Sequence, residues 1–247
     1  MITPFLKQAR IEILLWLRRR EAVVFSLLLP VMFLAFFGAL YGAQKVKGTD
    51  ISYISYLVPG YAVYAIMASA LGTLAVNLAT ERDTKILKRL GVTPLPRTAL
   101  IGAKVVAGAV LIAAVIAVLI LVGTLGYKAH VYGNVFAGLF ILAVGIFSFA
   151  TLGIVLGGLV KPDSSVAVSN LFYLALSFLG GVFIPLDQFP SGLRHVAEIL
   201  PSERLNDALQ TVWTRGQGLG DTGWDLPIVV AWALAAVLLG SRRFQWQ

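Results

Sequence analysis

The sequence contains no cysteine, and only two of its 247 residues are histidine. Without cysteine the chain can form no disulfide, present no thiolate nucleophile and bind no metal through sulfur. The two histidines, His130 and His195, stand far apart in predicted loops, and neither belongs to a paired metal-binding motif such as HExxH. We therefore expect neither a metal site nor a thiol-based catalytic site in this chain.

Nucleotide-binding motifs are missing as well. The stretch 157–161 (GGLVK) has neither the spacing of a GxxxxGK[ST] phosphate loop nor the serine or threonine that follows its lysine. Residues 218–223 (GLGDTG) match GxGxxG, but no predicted strand precedes them, so we do not interpret them as a dinucleotide site. We expect no catalytic site and no cofactor in the chain itself.

Charged residues are scarce, at 13% of the chain, whereas 58% of the residues are hydrophobic and the mean hydropathy is +0.85. Soluble domains have roughly 45–50% apolar and about 25% charged residues. A bilayer accommodates so much apolar surface because lipid surrounds the outer faces of the helices. We therefore predict an all-α integral membrane protein. We attribute its net charge of +8 to segments flanking the membrane, and expect no nucleic-acid partner.

Six apolar runs are predicted to be transmembrane helices within a single domain, residues 1–247. They cover about residues 22–41, 51–78, 100–125, 135–160, 166–184 and 226–239. The last has only about fourteen residues, short of the roughly 17–25 that usually span a bilayer.

Residues 1–21 precede the first run and have two faces. On a helix, Phe5, Ala9 and Ile13 belong to an apolar arc, whereas Lys7 and Arg10 lie on another side. This pattern predicts an amphipathic helix in the membrane interface, with its basic side towards anionic headgroups. The alternative is a solvated basic arm.

Lysine and arginine are distributed unevenly about the six predicted spans. Fourteen of the 20 lie on the side of both termini, and six lie on the other side. Because positive charge marks the cytoplasmic side, we predict a multi-pass protein of the cell membrane with both termini in the cytoplasm. The span interiors hold almost no ionisable side chains, which disfavours a proton- or ion-driven mechanism.

The predicted cytoplasmic loop, residues 80–98, has the pattern of a short helix. Thr80 and Asp83 have the spacing of a capping box, Glu81 and Lys85 form an i,i+4 pair, and Gly91 stands where a helix would end. Its apolar side consists of Ile86, Leu87 and Leu90. We predict a docking helix for a cytoplasmic partner; the alternative is an ordinary solvated turn.

Residues 185–215 lie on the predicted outer side, before the last span. Apolar residues recur there at helical spacing on both sides of Pro201, as Leu193 and Ala197 and then as Leu205 and Leu209. These segments are too short and too polar to span. We predict two short amphipathic or partly re-entrant helices on the outer leaflet.

With these features, the chain resembles the permease subunit of an ABC-2 type exporter over nearly its whole length. The resemblance rests on the basic N-terminal arm, the loop 81–104 with LGVTP at 90–94 and a lysine opening the next span, the phrase FIPL at 183–186 followed by Phe189 and Pro190, and the closing RRFQW. The chain is most similar to small six-span permeases associated with drug or antibiotic export.

This resemblance implies that two permease chains pair, identical or not, and that each docks a separate ATPase that binds ATP and Mg. The residues implied for docking are Glu81, Arg82, Asp83, Lys85, Ile86, Leu87, Lys88, Arg89, Leu90 and Gly91. Residues 1–21 would be the connecting helix that rests on the ATPase and on the membrane.

The resemblance also implies an amphipathic drug, lipid or glycoconjugate as cargo, exported from the cytoplasm or inner leaflet between the spans of the two chains. The path residues would be Phe33, Phe36, Phe37, Tyr64, Met67, Asn170, Tyr173, Ser177 and Phe178, unless these only pack or face lipid.

Two alternatives stay open. One is export of a polysaccharide or teichoic-type polymer through the same scaffold, and another is a non-transporting membrane scaffold. An integral-membrane enzyme is disfavoured because Asp163, Asp187 and Asp225 are isolated in the sequence.

Overall fold

The structure is a computed structural model that describes residues 2–18, 20–42, 44–46, 50–86, 96–129 and 133–243. These residues form helices joined by short connections, and no β-strand occurs among them, although one antiparallel bridge joins Lys45 to Ser52. The predicted all-helical membrane class is confirmed.

The helices follow one another in the order of the apolar runs. They are α1 Ile2–Arg18, α2 Arg20–Tyr41, α3 Tyr53–Met67, α4 Ala75–Asp83, α5 Arg97–Leu121, α6 Val135–Leu159, α7 Pro162–Leu179, α8 Ser191–Ala197, α9 Pro201–Leu209 and α10 Asp225–Arg243. Segments of π-helix, Ala68–Leu74, Val122–Gly126 and Gln210–Thr214, continue α3, α5 and α9, and 3-10 turns occupy Leu186–Gln188 and Leu219–Thr222.

Local side chains explain where several helices begin. Ser52 caps α3 by accepting a hydrogen bond from Ser55 N at 3.3 Å. Asn134 likewise caps α6 through Phe136 N at 2.8 Å. Each cap satisfies an amide that has no partner inside the first helical turn. Pro162 starts α7, where its fixed φ is suited to the first turn and its missing N–H is not needed.

Among the residues that the structure describes, three continuous helical stretches are long and apolar enough to cross a membrane: Tyr53–Asp83, Ala99–Gly126 and Val135–Leu159. Two shorter apolar helices are Leu28–Tyr41 and Asp225–Leu238. These stretches match five of the predicted runs. The count of six spans, the sidedness of the termini and the division into segments 1–21, 80–98 and 185–215 stay predictions.

The stretch Tyr53–Asp83 is the centre of the fold. It contacts α2, α5, α6, α7 and α9 along its length. Its side chains Leu57, Tyr61, Ile66 and Leu71 are fully buried. Because this helix is enclosed by protein on most sides, its neighbours rather than lipid surround its apolar residues.

Two glycines of α6 permit the closest helix contact in this centre. A Cβ atom at Gly153 would lie 2.1 Å from the carbonyl oxygen of Ala70, and one at Gly157 would lie 2.5 Å from that of Ala75. Both distances are shorter than atoms can approach, so only glycine lets the two backbones meet.

The predicted capping box at the start of the loop is wrong. Thr80 lies inside α4, and its hydroxyl donates to Val76 O at 2.9 Å instead of capping a new helix. The helix runs without interruption from the second span to Asp83, after which Lys85 adopts a positive φ of 57°. The helix therefore continues through polar residues beyond the end expected for the span.

Several other boundaries also differ from the prediction. The fifth predicted span is helical from Pro162 to Leu179, since Gly180 and Gly181 (φ +64°) turn the chain. The last helix, Asp225–Arg243, has 19 residues instead of about fourteen, because it includes polar residues at both ends. The two short helices predicted within 185–215 are present as α8 and α9, and α9 packs against α3, α6 and α10.

Candidate functional site

A buried group of charges joins three helices at the end of α4. The ammonium group of Lys104, on α5, donates to Glu81 Oε1 of α4 at 2.7 Å and to Glu12 Oε1 of α1 at 3.0 Å. The Lys104 side chain is 8% exposed, against 15% for Glu12 and 20% for Glu81. We call these three residues the Lys104 cluster.

The Lys104 cluster fixes α1 to the hairpin formed by α4 and α5. Glu12 and Lys104 are 92 positions apart in the chain, so this ion pair is a purely tertiary contact. Nearby, Phe5 of α1 lies 3.3 Å from the position that a Cβ on Gly102 would take, so α1 and α5 are also in apolar contact. A displacement of α1 would therefore be transmitted to the central stretch Tyr53–Asp83.

Arg82 makes a second connection at this end of α4. Its guanidinium donates to the carbonyl oxygens of Gly158 and, at 2.8 Å, Val160, at the carboxyl end of α6. The last carbonyls of a helix have no partner within the helix, and their partial negative charge favours a cation. Glu81 and Arg82 thus bind within the chain.

The implied docking residues separate into three groups. Glu81 and Arg82 have internal partners, whereas Asp83, Lys85 and Ile86 are exposed at the end of α4. The remaining ones, Leu87, Lys88, Arg89, Leu90 and Gly91, lie outside the described residues. Sequence reasoning did not find the roles of Lys104 and Glu12, although each carries a signal. Lys104 is the one charged residue within the apolar run 100–125, and Glu12 is an acid that lies between the basic residues Lys7, Arg10 and Arg18 of the arm.

Aromatic side chains from α2, α3 and the segment after α7 meet in a cleft that we call the aromatic cleft. It has a volume of about 460 Å³ and is lined by Phe33, Phe37, Tyr41, Gln44, Tyr53, Phe178, Phe183, Ile184 and Gln188. Its wall is mainly apolar, and two amides and two phenol groups supply the polar atoms. Such a surface suits a ligand with a large apolar part and a polar end.

Phe183 is the centre of the ring contacts that form this wall. Its ring centroid lies 5.2 Å from that of Phe178, 6.3 Å from Phe33 and 5.7 Å from Tyr64. Its backbone carbonyl accepts a hydrogen bond from the Tyr53 hydroxyl at 2.9 Å. Tilted rings at these separations attract one another beyond their burial. Phe183 therefore holds α2, α3 and α7 around the cleft.

The structure places some of the implied path residues together and others apart. Phe33, Phe37 and Phe178 line the aromatic cleft, and Tyr64 and Tyr173 are in edge contact behind it at 5.8 Å. Met67 is fully buried in the core, and the Ser177 hydroxyl donates to Tyr173 O at 2.7 Å. Phe36 and Asn170 are exposed and do not line the cleft. Sequence reasoning missed Tyr53 and Phe183 as lining residues, although both lie in segments it had singled out.

The outer face of α7 is apolar and exposed. Large side chains on one side of the helix, at Leu171, Leu174 and Phe178, are 72%, 38% and 56% exposed. Phe178 belongs both to this face and to the aromatic cleft. A molecule in the cleft would therefore be adjacent to whatever covers α7.

Within the described ranges, no group of three His, Cys, Asp or Glu residues could hold a metal ion.

The family described as ABC-2 type transporter matches residues 8–212. YvfS of Bacillus subtilis (strain 168), whose name describes a transport permease, is 25% identical over 241 residues, covering 95% of this chain and 94% of YvfS. The linearmycin resistance permease protein LnrN of the same organism is 23% identical, over 82% of this chain and 52% of LnrN. The inner membrane transport permease YadH of Escherichia coli (strain K12) is 25% identical, over 73% of this chain and 72% of YadH.

Proposed function

We propose, since this chain belongs to the ABC-2 type transporter family, that it is the membrane-spanning permease subunit of an ATP-driven exporter in the cell membrane. Its relatives are transport permeases, a family that is not catalytic. ATP and Mg would bind a separate ATPase subunit, and the permease would convert the movement of that subunit into opening and closing of a path.

The cargo that we propose is an amphipathic drug, lipid or glycoconjugate. The aromatic cleft is the single observation that carries this proposal, because it offers about 460 Å³ of mainly apolar wall with a few polar atoms. A wall of rings without a free charge favours a molecule that also partitions into lipid. The name of LnrN, a linearmycin resistance permease protein, adds support from one relative.

The ATPase would dock at the exposed end of α4 and at α1. Asp83, Lys85 and Ile86 offer a charged and apolar surface there. Because the Lys104 cluster joins α1, α4 and α5, a push on either α1 or α4 would reach the central stretch Tyr53–Asp83. This is how nucleotide binding in a partner would move the wall of the cleft.

A second permease chain would cover the apolar face of α7. In the single chain that face exposes Leu171 and Leu174, at 72% and 38%. Since Phe178 belongs to both the face and the cleft, pairing at α7 would close the cleft on its open side. Export would then take place between the two chains.

Charge reversal at the end of α4 tests the docking step. The full chain is purified from its native membrane with and without Asp83→Lys or Lys85→Glu, and the ATPase that co-purifies is quantified by mass spectrometry. We expect both variants to insert normally and to recover far less ATPase. Lys45→Glu, on the opposite predicted side, is the matched control and should recover the wild-type amount. Equal recovery in all four samples would contradict docking at α4.

The cargo is tested in vesicles that contain the permease and its ATPase. ATP-dependent movement of a fluorescent amphiphile should decrease when Phe178 or Phe183 is replaced by alanine. If the variants export the amphiphile as the wild type does, the aromatic cleft is not the path.

A further inference from the structure

Five side chains of the aromatic cleft form a closed series of contacts. The ring centroids are 6.3 Å apart between Phe183 and Phe33, 6.4 Å between Phe33 and Phe37, 6.2 Å between Phe37 and Tyr41, and 5.5 Å between Tyr41 and Tyr53. The Tyr53 hydroxyl then donates to the carbonyl oxygen of Phe183 at 2.9 Å, which closes the series. We call these five residues the ring cluster. Because all five line the cleft, they form a continuous aromatic part of its wall.

The ring cluster keeps open surface in spite of these contacts. Phe33 is 40% exposed and Tyr41 is 39% exposed, and the other three side chains are half-buried. Neighbouring rings are inclined to one another by 20° to 56°, and their centroids are at least 5.5 Å apart. At these separations the rings do not cover one another face to face. Ring faces are therefore available to a ligand in the cleft.

Among the residues that the structure describes, no charged side chain lines the aromatic cleft. Lys45 follows the lining residue Gln44, but its ammonium group is paired with Asp50 at 2.7 Å. The face of an aromatic ring is the negative part of its quadrupole, so it attracts a cation and repels an anion. The cleft therefore favours positive charge although it contains no carboxylate.

The polar groups of the cleft decide which kind of cation it suits. The Tyr53 hydroxyl is committed to Phe183, and the remaining polar lining groups are the Gln44 and Gln188 amides and the Tyr41 hydroxyl. A primary ammonium group carries three N–H donors, each of which loses a water molecule on binding and needs an acceptor in its place. A quaternary ammonium group has no N–H donor. Aromatic faces can therefore replace its water without loss of a hydrogen bond.

We propose that the aromatic cleft binds a quaternary ammonium group against the faces of the ring cluster. The apolar part of the ligand extends along Phe178, which also belongs to the exposed face of α7. The ammonium group can belong to a soluble amphiphile or to the choline headgroup of a lipid. This inference rests on the proposed function, because it takes the cleft as the cargo path and narrows the cargo to lipophilic cations.

Two probes of equal shape and different charge test this preference with the unmodified protein. They are the dansylamides of 2-(trimethylammonio)ethylamine and of 3,3-dimethylbutylamine, which differ by the exchange of the cationic nitrogen for carbon. The full chain in nanodiscs of phosphatidylethanolamine is titrated with each probe, and the rise in dansyl fluorescence is corrected with empty nanodiscs. One ring face strengthens the binding of a cation by about two- to fivefold. Three faces should therefore give the cationic probe at least about tenfold higher affinity, and equal affinities would overturn the proposal.

Substitution shows whether the ring faces cause the preference. Phe33→Leu combined with Tyr41→Leu keeps apolar side chains in the wall and removes two rings. The affinity for the cationic probe should fall by about fourfold or more, and that for the neutral probe by less than about twofold. Phe147→Leu is the matched control, because Phe147 is an exposed ring of α6 outside the cleft, and it should bind both probes as the wild type does. Equal losses for the two probes in the double variant would contradict recognition by ring faces.

The source of the ammonium group is tested by a change of lipid. In nanodiscs of phosphatidylcholine, a weaker apparent affinity for the cationic probe would identify the choline headgroup as an occupant of the cleft. An unchanged affinity would identify a soluble amphiphile as the ligand.

Transport of the same probes separates this inference from the proposed function. In vesicles that contain the permease and its ATPase, ATP-dependent movement of the cationic probe in preference to the neutral one would support both. Equal movement of the two probes would uphold transport and overturn the charge preference. Preferential binding of the cationic probe without ATP-dependent movement would uphold the binding site and contradict the proposed function.

Discussion

Replacing Lys104 by methionine would remove the ammonium group that joins α1, α4 and α5. Methionine keeps most of the length and apolar volume of the lysine stem, so the change is mainly one of charge. It leaves Glu12 and Glu81 side by side in a site where each side chain is no more than 20% exposed. We expect a large loss of stability for this reason.

The magnitude follows from the distances and the burial. At an effective dielectric constant of about 20, two unit charges 3 Å apart attract one another by roughly 5 kcal/mol. Desolvation offsets much of that attraction, and removal of one partner from a buried ion pair costs about 3–5 kcal/mol. Because water partly reaches both carboxylates, we expect the lower end, about 3 kcal/mol.

The chain offers a control that separates burial from distance. Lys45 Nζ lies 2.7 Å from Asp50 Oδ1, the same distance as Lys104 from Glu81, but its side chain is 63% exposed and that of Asp50 is 99% exposed. A solvated pair of this kind contributes less than about 1 kcal/mol. Lys45→Met should therefore have little effect.

Denaturant titrations in mixed micelles, followed by circular dichroism, would give the free energy of unfolding of each variant. Adding Glu12→Gln and Glu81→Gln to Lys104→Met should recover more than about 1 kcal/mol, because it removes the stranded charges. If Lys104→Met were no less stable than Lys45→Met, or if the added substitutions recovered nothing, the cluster would not be the joint that we infer.

Three further predictions concern other parts of the molecule. In the same titration, Phe183→Ala should lower the free energy of unfolding by about 2–3 kcal/mol, since Phe183 is only partly buried. Phe36→Ala, at an exposed position, should lower it by less than about 1 kcal/mol. Equal losses would refute the role of Phe183. Glu203 has a pKa of about 7 in the fold against 4.5 as a free group, so the folded state holds its proton more tightly. Its stabilising contribution is full below about pH 4.5 and is lost as the pH rises through 7, by at most about 3 kcal/mol; an unchanged pH slope in Glu203→Gln would contradict this. In the cysteine-free chain, Ser191→Cys should react with an impermeant maleimide on intact cells and Ser164→Cys only after the cells are broken; the reverse would overturn the predicted orientation.

Much of the helical framework could be predicted from the sequence, because the bilayer demands long apolar helices and leaves few other choices. The runs at 100–125 and 135–160 agree with α5 with its π segment and with α6 to within a few residues. The predicted ends of the helices were wrong where polar residues extend a helix beyond its apolar part. Asp83 at the end of α4 and Asp225 at the start of α10 are examples, since both are helical but neither belongs to an apolar run.

The candidate sites depended more on tertiary contacts. Phe183 stood in a recognised phrase of the sequence, but nothing local indicated that its ring touches Phe33, 150 positions earlier. Asp225 looked isolated in the sequence, yet its Oδ1 lies 3.0 Å from Nη1 of Arg204 on α9. Periodicity reports one face of one helix and does not report which helix that face will meet.

Composition and periodicity by themselves determined that this chain is a helical membrane protein, because burial of its apolar residues requires lipid and closed backbone hydrogen bonding. Its resemblance to an ABC-2 permease was likewise readable from local phrases. The tertiary structure alone decided that Lys104, counted in the sequence only as a positive charge near the membrane, lies buried between Glu12 and Glu81. A lone lysine is stable there only because carboxylates from two other helices arrive within 3.0 Å, and that arrival depends on how α1 and α4 pack against α5.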